Sequence, residues 1–535
     1  MNESTNPDVV VVGAGLGGLY QLYALRQAGL TARVIEAGDG VGGTWYWNKY
    51  PGARCDVESM FYSYSFSPEL EQEWEWSEKF PTQPELLKYI NHVADRFDLR
   101  RDITLNTRVT SAHWDVPSGK WRVTTDTGEV IEAGFVVMAT GCLSMPKEFE
   151  LPGQNGFKGQ IYHTGRWPEE GVDFTGQRVG LIGTGSSGIQ SIPVIADQAL
   201  EMTVFQRTPS FTMPAGNRPL DDAQVKELKG RYRELREAQR NSSFGNPFVS
   251  DPTKSAFDVS DDERLATYRD GWNSGSLVAI LSSYTDVLTD KKANETAAGF
   301  IRSKIAEMVR DPEIAETLTP RSYPYGSKRP CLDTGYYDTF NKDHVRLVDL
   351  RKTPLVEITE SGIRTSEDEY EVDAIVLATG YDAMTGALNA IDIRGRSGVA
   401  LREKWSNGPV SYLGLAVSEF PNLFTLTGPS SPSVLTNMIL AIEQHVDWIV
   451  DCLQYMRSNG YREIESTEDA ETKWAMHVAE VGNATLFPDA DSWYMGANVP
   501  GKPRVFMAYV GGANVYRQKC DEVVANDYEG FSFRR

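Results

Sequence analysis

The chain is poor in cysteine and histidine. Its 535 residues hold five cysteines, Cys55, Cys142, Cys331, Cys452 and Cys520, which are odd in number, scattered and free of any CxxC pair. That pattern argues against a disulfide framework and a redox-active dithiol, and it fits a reducing cytoplasm. The six histidines are as dispersed and show no HExxH or paired-ligand spacing, so no metal is expected. No stretch approaches the roughly 20 apolar residues that cross a bilayer. The opening MNESTNPD lacks the basic start and apolar run of a targeting segment. Positive charge is short too. Against 74 acidic residues stand 53 basic ones, and the net charge of −21 disfavours nucleic acid and anionic membranes as partners. The expectation is a soluble cytoplasmic chain, monomeric or a small homo-oligomer, long enough for two to four compact units.

Glycine, by contrast, is concentrated where it can act. Asp8 to Glu36 reads strand, turn, helix, strand: VVVV, then Gly13-Ala14-Gly15-Leu16-Gly17-Gly18, then LYQLYALRQAG and ARVIE. A GxGxxG between a buried-type strand and an amphipathic helix is a dinucleotide fingerprint. Gly13 permits the turn, Gly15 admits a pyrophosphate, and Gly18 lets helix and strand pack closely. The phosphate sits at the helix N-terminus, where free N–H groups favour an anion. Glu36, 18 residues after Gly18, can accept from ribose hydroxyls. The competing reading is a glycine-rich turn without a ligand.

The pattern recurs from Arg178 to Arg207, with Gly183-Thr184-Gly185-Ser186-Ser187-Gly188 after RVGLIG. Eighteen residues beyond Gly188 stands Gln206, not an acid, and Arg207 follows. A carboxylate there would repel a 2′-phosphate, whereas a neutral residue followed by arginine can bind one. The second site therefore prefers NADP(H) to NAD(H), unless Arg207 only caps a strand end. Each half also closes on a buried strand ending in Ala-Thr-Gly, at Gly141 and Gly380.

These signals give an α/β fold of two nested Rossmann-like dinucleotide-binding domains with a helical insertion. Residues 1–141 and 381–535 form the first, discontinuous domain. Residues 142–219 and 328–380 form the second, completed by HVRLVDL, PLVEIT and the strand before Gly380. Residues 220–327 are a mainly helical insertion. Within the first domain, ITLNTRVTSAHWD and KWRVTTDTGEVIEA alternate as hairpins do.

Between the two sites, Phe157, Gly159, His163, Trp167 and Pro168 match the FxGxxxHxxxW(P/D) fingerprint of Baeyer–Villiger monooxygenases, and the chain resembles that family over nearly its whole length outside the insertion. Further pieces are GGTWYWNKYPGARCDVES, FQRTP, KRP and NVPGKPRVF. The resemblance implies FAD in the first site and NADPH in the second. It implies that dioxygen is captured as a flavin C4a-peroxide, which attacks a ketone to give an ester or lactone. Such a peroxide needs a fixed cation. The resemblance gives that role to Arg329, positioned by Asp56; an ordinary interdomain ion pair is the alternative.

The same resemblance places Gly43, Thr44, Trp45, Trp47, Asp56, Tyr62, Val109 and Met438 around FAD. Around NADP it places Arg54, Thr184, Gly185, Ser186, Ser187, Gln190 and Arg329, with Arg207, Thr208 and Lys328 at the 2′-phosphate and Trp493 over the nicotinamide. Leu435 and Met438 face substrate. His163 is expected in the link between domains, holding that link's hydrogen bonds instead of touching substrate.

Three other functions compete: a flavin monooxygenase acting on nitrogen or sulfur, a pyridine-nucleotide disulfide reductase, and a non-catalytic redox flavoprotein. Trp167-Pro168 and Arg329 favour ketones over the first, and the lack of CxxC removes the second. Cofactor preference offers a direct check. NADPH should exceed NADH at least about tenfold in kcat/KM, about 1.4 kcal/mol, and Arg207→Ala should erase most of that gap. An unchanged KM for NADPH in the mutant would refute the assignment.

Overall fold

The computed structural model describes residues 6–535; the polar lead Met1–Thr5 lies outside them. Two five-stranded parallel sheets carry the structure. The first sets Leu423–Thr425, Phe135–Met138, Val9–Val12, Ala32–Ile35 and Ile103–Thr104 side by side. The second sets Val345–Asp349, Glu201–Gln206, Arg178–Ile182, Ala374–Leu377 and Gln160–His163 in that order. Val9–Val12 and Ala374–Leu377 are buried throughout, as strands covered on both faces must be, and so read as unbroken apolar runs.

In each sheet the strand order reverses beside the strand that leads into a glycine turn. Val12 pairs with Ile35 on one side and Met138 on the other, and Ile182 is flanked by Phe205 and Leu377. Gly13 and Gly183 therefore emerge at the carboxyl edge of a sheet where its neighbours diverge, the place where open α/β sheets bind ligands. The last glycine of each motif cannot be replaced. A Cβ on Gly18 would stand 1.8 Å from the Gly13 carbonyl oxygen, and one on Gly188 would stand 2.2 Å from that of Gly183.

Several expectations need adjusting. PLVEIT does not join the second parallel sheet: Leu355–Ile358 pairs with Gly362–Thr365, and that with Glu369–Glu371, in a separate antiparallel sheet. Its partial burial, with Val356 exposed and only Ile358 fully buried, suits an outer sheet better than a central strand. Ile103–Thr104 closes the edge of the first sheet, while Val109–Asp115, Lys120–Thr125 and Val130–Ala133 form antiparallel hairpins. The fingerprint segment is no free link. Gln160–His163 is an edge strand of the second sheet, with His163 opposite Leu377. Residues 220–327 carry five helices, from Asp222–Gly230 to Pro312–Leu318, with long irregular connections on either side of Asp261–Ser274. Among the described residues no helix is long and apolar enough to cross a membrane.

The longest helix, Met438–Asn459, packs against Leu16–Gln27 and buries His445. Its Nδ1 accepts from the Thr427 amide at 3.1 Å and its Nε2 meets the Tyr516 hydroxyl at 2.8 Å, while Tyr516 donates to the Leu413 carbonyl. The imidazole is thus neutral with its proton on Nε2. Burial, aided by nearby Arg517, brings its pKa down to about 3. A base with a depressed folded pKa stabilises the fold above its unfolded value, near 6.5, and that contribution is lost as pH falls toward 3. Thermal denaturation should show roughly 2 kcal/mol lost between pH 6.5 and pH 5 from this group. His445→Gln should flatten that segment of the pH profile, and an unchanged slope would contradict the assignment.

Candidate active site

Both glycine turns open on one cavity of about 1280 Å³. The helices starting at Leu16 and Ser186 have no side-chain cap, so their first amides are left for whatever fills the space. Gly15 leaves room only for backbone, since a Cβ there would lie 3.3 Å from the Gly43 Cα, while beside Gly185 the space is open. Glu36 does more than its spacing suggested. Its Oε2 accepts from the Ala14 amide at 2.7 Å and its Oε1 from the Gly38 amide at 2.8 Å, so it also shapes the turn it serves. On the wall, the buried polar atoms Thr436 Oγ1, Ser492 Oγ and Asn498 Oδ1 have no partner in the protein. Uncapped helix starts, a cradle without side chains and orphaned polar atoms fit two extended dinucleotides.

At the centre lies Arg329. Its Nε and Nη2 donate to the two oxygens of Asp56 at 2.8 and 2.9 Å, and Nη1 donates to the Val434 carbonyl at 2.6 Å. Burial works against the charge, but Asp56 and the Tyr494 hydroxyl outweigh it and hold the pKa above the usual arginine range. Three of the five N–H groups are thus engaged.

A second group of cations lines the wall farther out. Arg207 is exposed there, Lys328 stands over the Tyr323 ring, and Lys147 donates to the Asn498 carbonyl at 3.0 Å. Burial and the charge of Arg207 lower the pKa of both lysines. Lys147 follows the first Ala-Thr-Gly with no motif to mark it, and the sequence reading missed it. Gln206 is fully buried and donates to the Thr317 carbonyl at 2.8 Å, so neutrality at that position comes from a side chain turned away from the cavity. Thr184 lies close by, its hydroxyl donating to the Thr208 carbonyl at 3.2 Å.

Two residues expected at the nucleotide already have protein partners. Gln190 accepts from the Tyr50 hydroxyl at 2.8 Å and donates to the Arg54 carbonyl at 3.0 Å, bridging the two units. Arg54 reaches the wall, but its guanidinium is held by Glu78 and the Phe80 carbonyl, each at 2.9 Å.

The first half of the wall includes Gly13, Gly17, Gly43, Thr44, Trp47, Val109 and Met438. There the Trp45 indole donates to the Tyr62 hydroxyl at 3.3 Å. The second half includes Ser186, Ser187, Thr208 and Trp493, the last packed on Tyr494. Leu435 lies in the short 3₁₀ turn Ser433–Leu435 and packs into the cluster around Cys142 and Met384, of which Cys142, Val434 and Met438 line the cavity.

The fingerprint residues also stand behind the wall. Gly159 is needed because a Cβ would meet the Asp373 carbonyl at 2.1 Å and the Phe157 ring at 2.7 Å. Trp167 is buried against Tyr162 and Phe174, and Pro168 borders a shallow outer groove. His163 accepts from the Gly165 amide on Nδ1 and meets the Thr379 hydroxyl through Nε2 at 3.2 Å, and burial lowers its pKa. Thr379, one residue before Gly380, does line the cavity.

Two dinucleotide cradles facing a charged arginine define a flavoprotein oxidoreductase of the two-cofactor type. Comparison with known proteins narrows the class. Residues 10–229 match the family described as pyridine nucleotide-disulphide oxidoreductase. Yet the three thiols on the wall, Cys55, Cys142 and Cys331, are free and buried, with pKa values raised by burial, that of Cys331 to about 11. The chain is 41% identical over 526 residues to a Baeyer-Villiger monooxygenase of Pseudooceanicola batsensis, covering 97% of this chain and 95% of the other. It is 41% identical to an acetone monooxygenase (methyl acetate-forming) of Gordonia sp., over 99% of both chains. A phenazine N-monooxygenase of Lysobacter antibioticus is 40% identical, over 99% of this chain and 97% of the other. Among solved structures, an oxidized steroid monooxygenase bound to NADP superposes with a TM-score of 0.95 at 52% identity, over 99% of both chains. A complex of OTEMO with FAD and NADP gives 0.95 at 41% identity, over 99% of this chain and 100% of that one. The chain belongs to the Baeyer–Villiger monooxygenases.

Lys147 can be tested apart from the motifs. Lys147→Met should raise the KM for NADPH roughly tenfold, about 1.4 kcal/mol, and leave that for NADH nearly unchanged. Equal effects on both nucleotides would assign the lysine to something other than the 2′-phosphate.

Proposed function

We infer that the protein converts ketones to esters or lactones with FAD, NADPH and dioxygen. The observation that carries this reading is the charged Arg329, held by Asp56 where both cradles meet. FAD, once reduced by NADPH, supplies the electrons and the surface on which dioxygen is activated. The chain's own residues do the rest. The first cradle, with Gly13, Gly15, Gly17 and Glu36, would hold FAD, with Trp45, Tyr62 and Met438 on the same stretch of wall. The second, with Thr184, Gly185 and Ser186, would hold NADP, with Arg207, Lys328 and Lys147 as the cations for a 2′-phosphate and Trp493 as an aromatic cover for the nicotinamide. Arg329 stabilises negative charge that develops during oxygen transfer, and Asp56 keeps it oriented.

Residues 6–141 and 381–535 are assigned to the FAD unit and residues 142–219 and 328–380 to the NADP unit, supported by the membership of the two parallel sheets. The free, buried cysteines support a reducing compartment such as the cytoplasm. A second reading, oxidation at nitrogen, is favoured by the likeness to the phenazine N-monooxygenase. Product analysis on a panel of ketones and aromatic amines separates the two.

Arg329→Ala should keep FAD and still oxidise NADPH, though more slowly, while ester formation falls by more than about a hundredfold, since losing a preorganised donor costs about 2.7–4 kcal/mol. Near-normal ester yield from this variant would leave Arg329 an interdomain tether.

A further inference from the structure

The helical insertion contributes a buried arginine to the first unit. Arg236, on the helix Tyr232–Arg240, is 5% exposed, and its Nε donates to Glu71 Oε1 at 2.8 Å. Its Nη1 donates to the Phe61 carbonyl at 3.3 Å, and its Nη2 to the Ser63 carbonyl at 3.1 Å and the Ser63 hydroxyl at 2.8 Å. The two carbonyls flank Tyr62, whose side chain lines the cavity and accepts from Trp45. Arg236 therefore grips the backbone on both sides of a wall residue without touching the cavity itself.

The Phe61 carbonyl has two further donors, Gln239 Nε2 at 3.4 Å and Asn437 Nδ2 at 2.8 Å. Asn437 caps the helix that begins at Met438, accepting from the Ile439 amide at 3.0 Å, and Met438 lines the same cavity. One carbonyl thus gathers the Tyr62 segment, the insertion and the helix that presents Met438. A buried ion pair such as Arg236 with Glu71 is weak evidence for stability, because apolar residues of similar volume are often as stable. Its geometric effect is better defined. A guanidinium fork fixes two carbonyls and a carboxylate at once, which an apolar side chain cannot do.

We propose that Arg236 is a positioning residue for oxygen transfer, through which the insertion sets the relative placement of Tyr62 and Met438 across the cavity. The proposal rests on the reading of the cavity as the flavin and ketone site. Loss of the fork leaves both cradles intact but loosens the wall around the reacting atoms, so the two electrons from NADPH reduce dioxygen to hydrogen peroxide instead of leaving one oxygen atom in the ketone and the other in water.

The experiment compares wild-type holoenzyme, Arg236→Lys, the double variant Arg236→Met with Glu71→Met, and Arg396→Met. The double variant leaves no unpaired buried charge. Arg396, paired with Glu463 and Glu465 beside a two-stranded sheet, controls for the loss of an arginine ion pair elsewhere. The readouts are ester formed per NADPH consumed, normalised to bound FAD, and the absorbance spectrum of that FAD. In the double variant the ratio should fall at least about fivefold and the flavin bands should shift, because small misplacements at a reacting centre are costly. Arg236→Lys should fall between it and the wild type, since an ammonium cannot span both carbonyls, and Arg396→Met should keep the wild-type ratio. A wild-type ratio in Arg236→Lys or in the double variant, or an equal fall in Arg396→Met, overturns the proposal. Absence of ester from the wild type would overturn the functional reading as well.

Discussion

Arg329 and Asp56 stand 273 residues apart in the chain, and their two-point contact ties the chemistry to the architecture. A guanidinium lining a cavity is best held when its charge is answered at close range, as Asp56 answers Arg329 here. Both segments must therefore hold their separation to within a hydrogen bond. The Gln190 bridge to Tyr50 and Arg54 serves the same end on the next layer out, and so does Gly52, where a Cβ would stand 2.2 Å from the Gln190 carbonyl oxygen. Val434 extends the constraint to the loop before Met438, because its carbonyl accepts a third hydrogen bond from Arg329.

Features set by backbone geometry were legible in the sequence. The glycine turns, their flanking strands and Glu36 follow from spacing because only glycine survives the contacts at Gly18 and Gly188. Arg207 was legible for a similar reason, since the end of a strand fixes where its neighbour lies. What spacing cannot give is the direction of a side chain in an irregular turn. Leu435 and Thr436 are adjacent, yet Leu435 packs into the cluster around Cys142 while Thr436 is buried on the wall. Lys147 belongs to the same blind spot: it reaches the cavity through the fold of a connection, with no repeat or pattern to announce it. PLVEIT misled because an apolar run of strand length suits an outer sheet as well as an inner one.

The fingerprint between the two halves illustrates how a motif can mark a function without performing it. Gly159 and Trp167 fill tight places beside the second sheet, and His163 is neutral, turned toward Thr379 and away from the cavity's interior. The segment therefore fixes the edge of the nucleotide unit and the turn at Gly380. It also reaches the cavity directly, through Gly165 and Arg166.

The strand Leu423–Thr425 pairs with Phe135–Met138 at the edge of the first sheet, although most of the second unit lies between them in the chain. On a ribosome this separation becomes a delay. The N-terminal strands emerge early but wait for their last neighbour until the whole middle of the protein has been made. During that interval the Phe135–Met138 edge is an open template for pairing with other nascent chains. The second sheet is complete once Ala374–Leu377 has emerged and can fold in the meantime. Slow translation of the stretch that ends at Thr425 would therefore lengthen the exposure of that edge.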